Sequence, residues 1–275
     1  FPGGSPDVKA SYTRVEKFTQ QIKDQYGVEI VSSIDELLKR VDVVLIESVD
    51  GRAHLKQAIP VLIAGKIVFI DKPIAGSLAD AIMIYELAKK HKTPVFSSSS
   101  ARFITNLEAA RKDPKLGKVV GCVSYGPCEI ETYVPDFFWY GIHGVESLYA
   151  VMGPGCKSVA RAHTKDTDVA VGTWGDGRIG TYRGIRSGKK DFGTLIFGDK
   201  GIVTTSGLEG GYRPLVQEIA KFFQTGVPPV SAEETIEIAA FMEAADESKR
   251  QNGAPVTIES MMQKARKFNE TRKLP

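Results

Sequence analysis

Short apolar runs alternate with helix-like segments along the first hundred residues, and this alternation constrains the fold more than any other feature of the sequence. The runs are VEIV (28–31), DVVLIES (42–48), KIVFI (66–70) and PVFSSSS (94–100). Continuous apolar runs are typical of parallel strands that are covered on both faces. Because helical segments separate the runs, right-handed crossovers predict an α/β fold with one doubly wound parallel sheet.

The segments between the runs carry the local signals of helices. Residues 12–27 have apolar side chains at helical spacing and end in glycine. Ser33 can cap a brief helix, and Ser77 with Asp80 forms a capping-box pattern. Pro60 lies inside another helical segment, where it must kink the helix or remove a hydrogen bond.

The pattern changes after residue 101. The predicted elements are strands at 118–131 and within 157–205, and helices at 143–152, at 215–226, at 231–250 and from Ser260 to Lys273. The Asp176-Gly177 pair between strand-like flanks predicts a β-hairpin. We therefore expect an N-terminally incomplete doubly wound domain over 1–101. An α+β domain with a mostly antiparallel sheet is expected over 102–275, and its last helix can pack back on the first domain.

Composition excludes several classes of protein. Hydrophobic residues make up 42% of the 275 residues, charged residues 25%, and the net charge is +3, which is too small to indicate nucleic-acid binding. The three cysteines form no CxxC pair, so neither a disulfide framework nor a structural metal site is expected. A reducing compartment, the cytoplasm, is expected, with a removed or unrecorded N-terminal signal as the alternative. No apolar run is long enough for a membrane span.

Lys72 lies two residues after the run KIVFI and stands between Asp71 and Pro73. The carboxyl ends of parallel strands gather at one edge of such a sheet, and ligands bind there. A desolvated lysine at this edge can donate a hydrogen bond to a substrate hydroxyl and move its proton. A Lys-Pro bond can also be cis, which would aim the side chain. The alternative is an ordinary surface turn between strand and helix.

Two histidines are candidates for chemistry. His143 opens a predicted helix after an aromatic segment, and it could act as a general base because its ordinary pKa lies near neutral pH. A packed, hydrogen-bonded histidine is the alternative. Glu146 lies on the same helical face, where it could orient the imidazole or remain solvated. His54 follows a strand near the start of a helix, and a capping or packing role is expected for it.

Together these segments resemble the Gfo/Idh/MocA family of nicotinamide-dependent sugar and polyol oxidoreductases, over nearly the whole chain. Residues 42–76 are similar to the family's strand, histidine loop, helix and Glu-Lys-Pro motif, with Asp71 in place of the glutamate. ARF (101–103) resembles the Arg-Phe that follows the last Rossmann strand. GIHGVESL (141–148) resembles the Gly-x-His-x-x-Asp motif with glutamate in place of aspartate, and FFQTGVPPVSAEET (222–235) resembles the closing pattern.

The resemblance implies a Rossmann domain that binds NAD or NADP and a second domain that covers the nicotinamide and holds the substrate. It also implies that Lys72 hydrogen-bonds the reacting hydroxyl and that His143 acts in proton transfer. The other expected site residues are Ser5, Ser48, His54, Asp71 and again Lys72 for the cofactor, and Arg102, Asp136, Trp139 and Tyr140 for the substrate.

The sequence departs from this family in two places. It contains no GxGxxG fingerprint, whose glycine turn and helix N-terminus would bind the pyrophosphate. Truncation of the recorded sequence is the expected cause, and genuine loss of cofactor binding is the alternative. Trp139 stands four residues before His143, where many members carry an acid that partners the histidine; Asp136 or Glu146 could replace that acid.

The sequence thus predicts an NAD(P)-dependent oxidoreductase that transfers hydride between a nicotinamide and a hydroxyl or ketone of a sugar, cyclitol or glycoside. No acid precedes Asp7, and Ser5 with free backbone amides could tolerate a 2′-phosphate, which favours NADP over NAD. The alternative function is a non-catalytic sugar-binding or regulatory relative, which the missing fingerprint and Trp139 favour. A homo-oligomer that pairs through a free face of the antiparallel sheet is also expected.

Overall fold

The structure, a computed structural model, describes residues 1–272, so Lys273, where the last predicted helix ends, lies outside the described residues. The helices of the first half are α1 (Lys9–Tyr26), α2 (Ile34–Leu38), α3 (His54–Ile63) and α4 (Leu78–His91), and its strands are β1 (Val43–Ile46), β2 (Ile67–Asp71) and β3 (Val95–Ser98). The predicted caps are present, because Ser33 and Ser77 each accept a hydrogen bond from the third residue on, at 3.1 Å. Pro60 lies inside α3.

The strands of the first half form one parallel sheet in the order β1-β2-β3. The central strand β2 buries three consecutive side chains, Val68, Phe69 and Ile70, as a strand covered on both faces should. Asp71 pairs with Ser98, so the polar residues that follow the strands meet at one edge of the sheet. The predicted fold class is confirmed.

The predicted strand at 28–31 is wrong. This segment follows Gly27, the left-handed C-cap of α1, and it pairs with no strand in the part of the chain that the structure describes. Val28 is exposed and Val31 is buried, so the segment buries part of its apolar surface without a ladder partner. A strand depends on its neighbours for stability, and a local apolar pattern does not supply them.

The second half contains a larger sheet with helices on its inner face. Its elements are α5 (Thr105–Arg111), β4 (Val119–Pro127), a π-helical turn (Phe137–Gly141), α6 (Ile142–Met152), β5 (Cys156–His163), β6 (Thr167–Trp174), β7 (Ile179–Ile185), β8 (Gly193–Gly198), β9 (Ile202–Ser206), α7 (Arg213–Thr225), α8 (Ala232–Arg250), β10 (Val256–Thr257) and α9 (Ile258–Glu270). The strand order is β10-β5-β6-β7-β4-β8-β9, and only the β4–β7 pair is parallel. The predicted hairpin is confirmed: β6 and β7 flank a turn in which Gly177 has φ 89°.

One continuous core joins the two sheets. It runs from β1 and β2 through α4 to α6 and α8, which pack against the larger sheet. A smaller aromatic cluster attaches α7 to the parallel sheet, with the rings of Phe96 and Phe222 5.6 Å apart. Helix α9 packs on α4, where Asn269 donates to the carbonyl of Ala79 at 2.8 Å. Over residues 1–272, no helix has the length and apolar character needed to cross a membrane.

Candidate active site

Lys72 leaves β2 at the carboxyl edge of the parallel sheet, and its peptide bond to Pro73 is cis. The ammonium lies 3.5 Å from Asp71 Oδ2, and 14% of the side chain is exposed. Glu47, at the end of β1, is a neighbour that the sequence reasoning missed. Glu47 is exposed as a residue, but the surrounding protein desolvates its carboxyl group. This desolvation, and then the charge of Asp71, raise the pKa of Glu47 to about 7. An acid directly after an apolar strand was the available signal.

His54 is fully buried and connects the two loops that leave β1 and β2. Its Nε2 lies 2.7 Å from the carbonyl of Ser48, and its Nδ1 lies 3.0 Å from the carbonyl of Pro73. Burial lowers the pKa of His54, so the ring is neutral at neutral pH and its single N–H donates to one of these two carbonyls. His54 therefore holds the loop of Ser48 against the loop of Lys72 through backbone contacts.

Gly51 allows the same two loops to approach closely. A Cβ atom at this position would lie 2.8 Å from the backbone of Ala75 and 2.9 Å from Pro73 Cγ. Any larger residue would push the loops apart, so glycine is required here by space and not by backbone conformation. The position of Lys72 thus depends on a contact that only glycine permits.

The N-terminal segment is fastened to this edge by charge pairs. Arg52 donates to Asp7 at 2.9 Å and to the fully buried Asp50 at 2.7 Å. Ser5 is buried, and its backbone N–H donates to Ser11 Oγ at 2.8 Å. The amide of Ser5 is consequently not free to bind a phosphate.

A cavity of about 350 Å³ lies between this N-terminal segment and β1. Its polar wall includes Glu47, Ser48 and Gln57, and the Ser48 hydroxyl and the Gln57 side-chain amide lie 2.8 Å apart. The volume is within the range of about 300–1,000 Å³ that is usual for small-molecule sites. The carboxyl edge therefore has both a recess and convergent polar groups.

His143 approaches this edge from the other sheet, at the start of α6. The π-helical turn precedes His143, and Gly144 follows it. A Cβ atom at Gly144 would lie 2.1 Å from the Tyr182 ring, so α6 packs directly on β7. His143 is 8% exposed, and its Nδ1 lies 2.6 Å from Ser99 Oγ. Burial, and then the charge of Lys72, lower its pKa to about 3. The imidazole is therefore neutral, and it lies near enough to the Lys72 ammonium to be influenced by its charge.

Glu146, one turn further along α6, anchors the helix to the end of β3. Its carboxylate accepts from Ser98 Oγ at 3.1 Å, from the Ser99 backbone N–H at 3.3 Å and from Arg102 Nε at 2.5 Å. Burial raises the pKa of Glu146, and Arg102 acts in the opposite direction. Arg102 also pairs with Glu234 at 2.8 Å, and these two acids raise its pKa against the effect of burial. The Arg102 guanidinium is thus engaged by two carboxylates.

The remaining predicted substrate residues lie on or beside the π-helical turn. The carboxylate of Asp136 pairs with Arg161 at 2.8 Å and with Lys249 at 2.7 Å, and these partners lower its pKa although burial alone would raise it. The Tyr140 ring lies edge-on to His143 with centroids 4.8 Å apart. Trp139 is half-buried against the core. The structure therefore brings Tyr140 to His143, whereas the Asp136 carboxylate is directed to other partners.

Comparison with known proteins agrees with this geometry. Residues 6–99 match the Gfo/Idh/MocA family, described as an oxidoreductase family with an NAD-binding Rossmann fold. A relative, the uncharacterized oxidoreductase YhhX of Escherichia coli K12, is 28% identical over 154 residues. This match covers 52% of the chain and 45% of the relative, so the chain spans about half the length of the curated protein it matches.

Solved structures share the fold over most of the chain. GenD2 from gentamicin A biosynthesis, in complex with NAD, has a TM-score of 0.77 at 17% identity and covers 89% of this chain and 86% of its own. Scyllo-inositol dehydrogenase from Lactobacillus casei, with bound NAD(H) and scyllo-inositol, has a TM-score of 0.74 at 17% identity and covers 93% and 90%. The parallel sheet thus lies in the part of the chain, residues 6–99, that is similar to the Gfo/Idh/MocA oxidoreductases, a family with an NAD-binding Rossmann fold.

Proposed function

We propose that this protein is an NAD(P)-dependent dehydrogenase that acts on a hydroxyl or ketone of a sugar, cyclitol or glycoside. The observation that carries the proposal is the convergence of Lys72 and His143 from two different sheets at the carboxyl edge of the parallel sheet. The charge of Lys72 lowers the pKa of the His143 ring, which supports a single site for the two groups. A lysine that is 14% exposed and a neutral imidazole can both hydrogen-bond a substrate oxygen, and the lysine can exchange a proton with it.

The polar groups at this edge fit the nicotinamide half of the cofactor. Ser48 lines the recess beside β1, Asp71 and Lys72 lie at the end of the neighbouring strand β2, and His54 contacts the loops of both strands. When bound, the nicotinamide supplies hydride transfer, and this chain's residues supply position and charge. For the pyrophosphate half we assign no contact, because the sequence has no GxGxxG turn and the Ser5 amide is bonded to Ser11.

The preference for NADP over NAD is a finer part of the proposal. It rests on the absence of an acid before Asp7, which would otherwise bind the ribose hydroxyls of NAD. Asp7 itself pairs with Arg52 at 2.9 Å and is therefore occupied. Titration with both cofactors decides between them, and tighter binding of NADH would contradict the preference.

The substrate class follows from the aromatic side chains beside His143. Tyr140 and Trp139 lie on the same turn and remain partly accessible, and their ring faces suit the C–H face of a sugar or cyclitol. Inositol is the substrate named for one of the structures with this fold. We assign Arg102 and Asp136 to holding the turn and α6 in place, since both are committed to charge pairs.

A second copy of this chain is the proposed partner, through the outer face of the large sheet. That face presents half-buried apolar side chains, among them Val123, Val171, Leu195 and Phe197. One sheet face packed on helices with the other free to pair is a common dimer arrangement. Light scattering on the purified protein should give at least twice the monomer mass, and a monomer would reject this proposal.

The test of function is a titration with NADH and NADPH, followed by turnover assays on a panel of inositols, hexoses and their ketones. We expect saturable binding, and in Lys72→Ala a loss of kcat/KM of roughly 100- to 10,000-fold, the usual contribution of an acid–base group. Lys56→Ala, an exposed lysine on α3, is the matched control. Full turnover in Lys72→Ala would refute the role of Lys72. Sugar binding without cofactor binding would favour the non-catalytic alternative.

A further inference from the structure

The ring of His143 has a hydrogen-bond partner that the family resemblance does not supply. The position of the family's acid is Trp139 here. The other acids nearby do not replace it, because Asp136 bonds Arg161 and Lys249, and Glu146 bonds groups at the end of β3. In the described part of the chain, the hydrogen-bond partner of the His143 ring is the hydroxyl of Ser99, at 2.6 Å from Nδ1.

The other bonds of Ser99 determine which atom carries the proton. The Ser99 oxygen already accepts the backbone N–H of Ala101 at 3.1 Å. Ser99 is fully buried, and among residues 1–272 the acceptor within reach of its hydroxyl hydrogen is His143 Nδ1. If Nδ1 carried the hydrogen instead, the Ser99 oxygen would accept two N–H groups and its own hydrogen would be buried without an acceptor. Leaving a buried donor unsatisfied disfavours that arrangement by roughly 5- to 150-fold.

We infer that Ser99 is a positioning residue that holds His143 as the Nε2–H tautomer, so that His143 donates a hydrogen bond to the substrate oxygen and Lys72 exchanges the proton. This inference rests on the proposed function for its substrate half. In the oxidation direction, the Lys72 ammonium first releases a proton to solvent; the substrate C–H bond then breaks as hydride leaves for the nicotinamide, and the hydroxyl proton passes to the Lys72 amine. In the reduction direction, Lys72 returns that proton to the oxygen as hydride adds to the carbonyl carbon. Nε2–H of His143 polarises the same oxygen in both directions.

The arrangement differs from a histidine paired with a carboxylate. A carboxylate accepts Nδ1–H, which leaves Nε2 free to take a proton. A serine that donates to Nδ1 does the reverse, because it commits the neutral ring to a proton on Nε2. The low pKa of His143, to about 3, agrees with a ring that remains neutral throughout. The serine therefore changes the chemistry of the histidine from base to donor.

The tautomer can be read directly by ¹⁵N–¹H correlation NMR on protein labelled at its 4 histidines. His143→Gln identifies the resonances of His143 by their loss. In the wild type at pH 7 we expect an unprotonated Nδ1 and a protonated Nε2. A protonated Nδ1 would overturn the inference whatever the activity of the protein.

Substitution at Ser99 tests whether this residue is the cause. Ser99→Ala should reduce the bias toward Nε2–H by roughly 5- to 150-fold and give a mixed tautomer. Ser99→Thr, which keeps the hydroxyl, should restore the bias. Ser100→Ala is the matched control, because no hydrogen bond of the Ser100 hydroxyl is seen within residues 1–272. An unchanged tautomer in Ser99→Ala would overturn the inference. If Ser99→Ala does not fold, the wild-type and Ser99→Thr spectra still decide it.

Activity then separates this inference from the proposed function. The NMR result needs neither cofactor nor substrate, so a lack of turnover on every substrate would contradict the function and leave the tautomer result standing. With an active substrate, Ser99→Ala should lower kcat more than it raises KM, because the substrate oxygen is bound without a fixed donor. A change in KM alone would indicate a structural role and overturn the positioning role.

Discussion

Replacing Glu146 by alanine should destabilise the protein more than any ordinary surface change, because this carboxylate joins α6 to the parallel sheet. Glu146 is 3% exposed and accepts three hydrogen bonds from the end of β3. The substitution removes the acceptor for Ser98 and for the Ser99 N–H. It also leaves the buried Arg102 guanidinium with Glu234 as its remaining carboxylate.

The magnitude follows from those contacts. Removing one partner of a buried ion pair generally costs about 3–5 kcal/mol. Because Glu234 still neutralises part of the Arg102 charge at 2.8 Å, the lower end applies, and we expect a loss of about 3 kcal/mol in the free energy of unfolding. Glu146→Gln keeps an acceptor oxygen and loses the charge, so the loss should be about 1.5–3 kcal/mol. On heating, 3 kcal/mol corresponds to a fall in Tm of roughly 6–12 °C.

Urea unfolding followed by tryptophan fluorescence measures these differences. Glu233→Ala makes the same chemical change on the exposed side of α8 and should stay within about 0.5 kcal/mol of the wild type. Arg102→Met and the double variant complete a double-mutant cycle, in which we expect a coupling energy above about 1 kcal/mol. A loss below about 1 kcal/mol in Glu146→Ala, or a coupling energy near zero, would refute the reasoning.

Three further perturbations test the packing and protonation of the site. Gly144→Ala places a methyl group against the buried Tyr182 ring and should cost about 1–3 kcal/mol by overpacking, measured by urea unfolding; no loss would show that α6 can move off β7. His54→Ala removes the N–H donor of one carbonyl and the packing of the buried ring, and should cost about 1–3 kcal/mol; a neutral result would contradict its role between the loops. The pKa of His143 is about 3 in the folded protein and about 6.5 in the unfolded chain. Between these pH values only the unfolded chain binds the extra proton, so the free energy of unfolding decreases as the pH falls. Relative to His143→Gln, the wild type should therefore lose up to about 1.4 kcal/mol per pH unit from pH 6 to 4, and a pH-independent difference would exclude a buried neutral ring.

The parallel sheet could be predicted because its strands are encoded locally. An uninterrupted apolar run such as 67–70 indicates burial on both faces, and the residues that follow it lie at the sheet edge. This placed Asp71 and Lys72 at that edge without any knowledge of their partners. The error at 28–31 shows the limit of the same signal. That run has the composition of a strand, but in the described chain no strand lies alongside it, and composition does not contain that information.

The partners of charged loop residues could not be predicted from sequence. Asp136 was expected near the substrate as a candidate to replace the acid whose position Trp139 occupies. Its carboxylate instead bonds Arg161 and Lys249, which are 25 and 113 residues away. Arg102 is similar, since its acids come from α6 and α8. A charged loop residue pairs with whichever opposite charge the folded protein places close to it, and no periodicity in the sequence encodes that pairing.

The serine run at 97–100 held a signal that the sequence reasoning did not use. Four consecutive serines close the predicted strand at 94–100, and all of them are buried. Buried polar groups are mostly hydrogen-bonded. Two of these hydroxyls have acceptors on α6, the carboxylate of Glu146 for Ser98 and the Nδ1 of His143 for Ser99. The serines, and not the acids of the aromatic turn, therefore connect the two sheets at the site, and the protonation of the histidine follows from the way the sheets pack together.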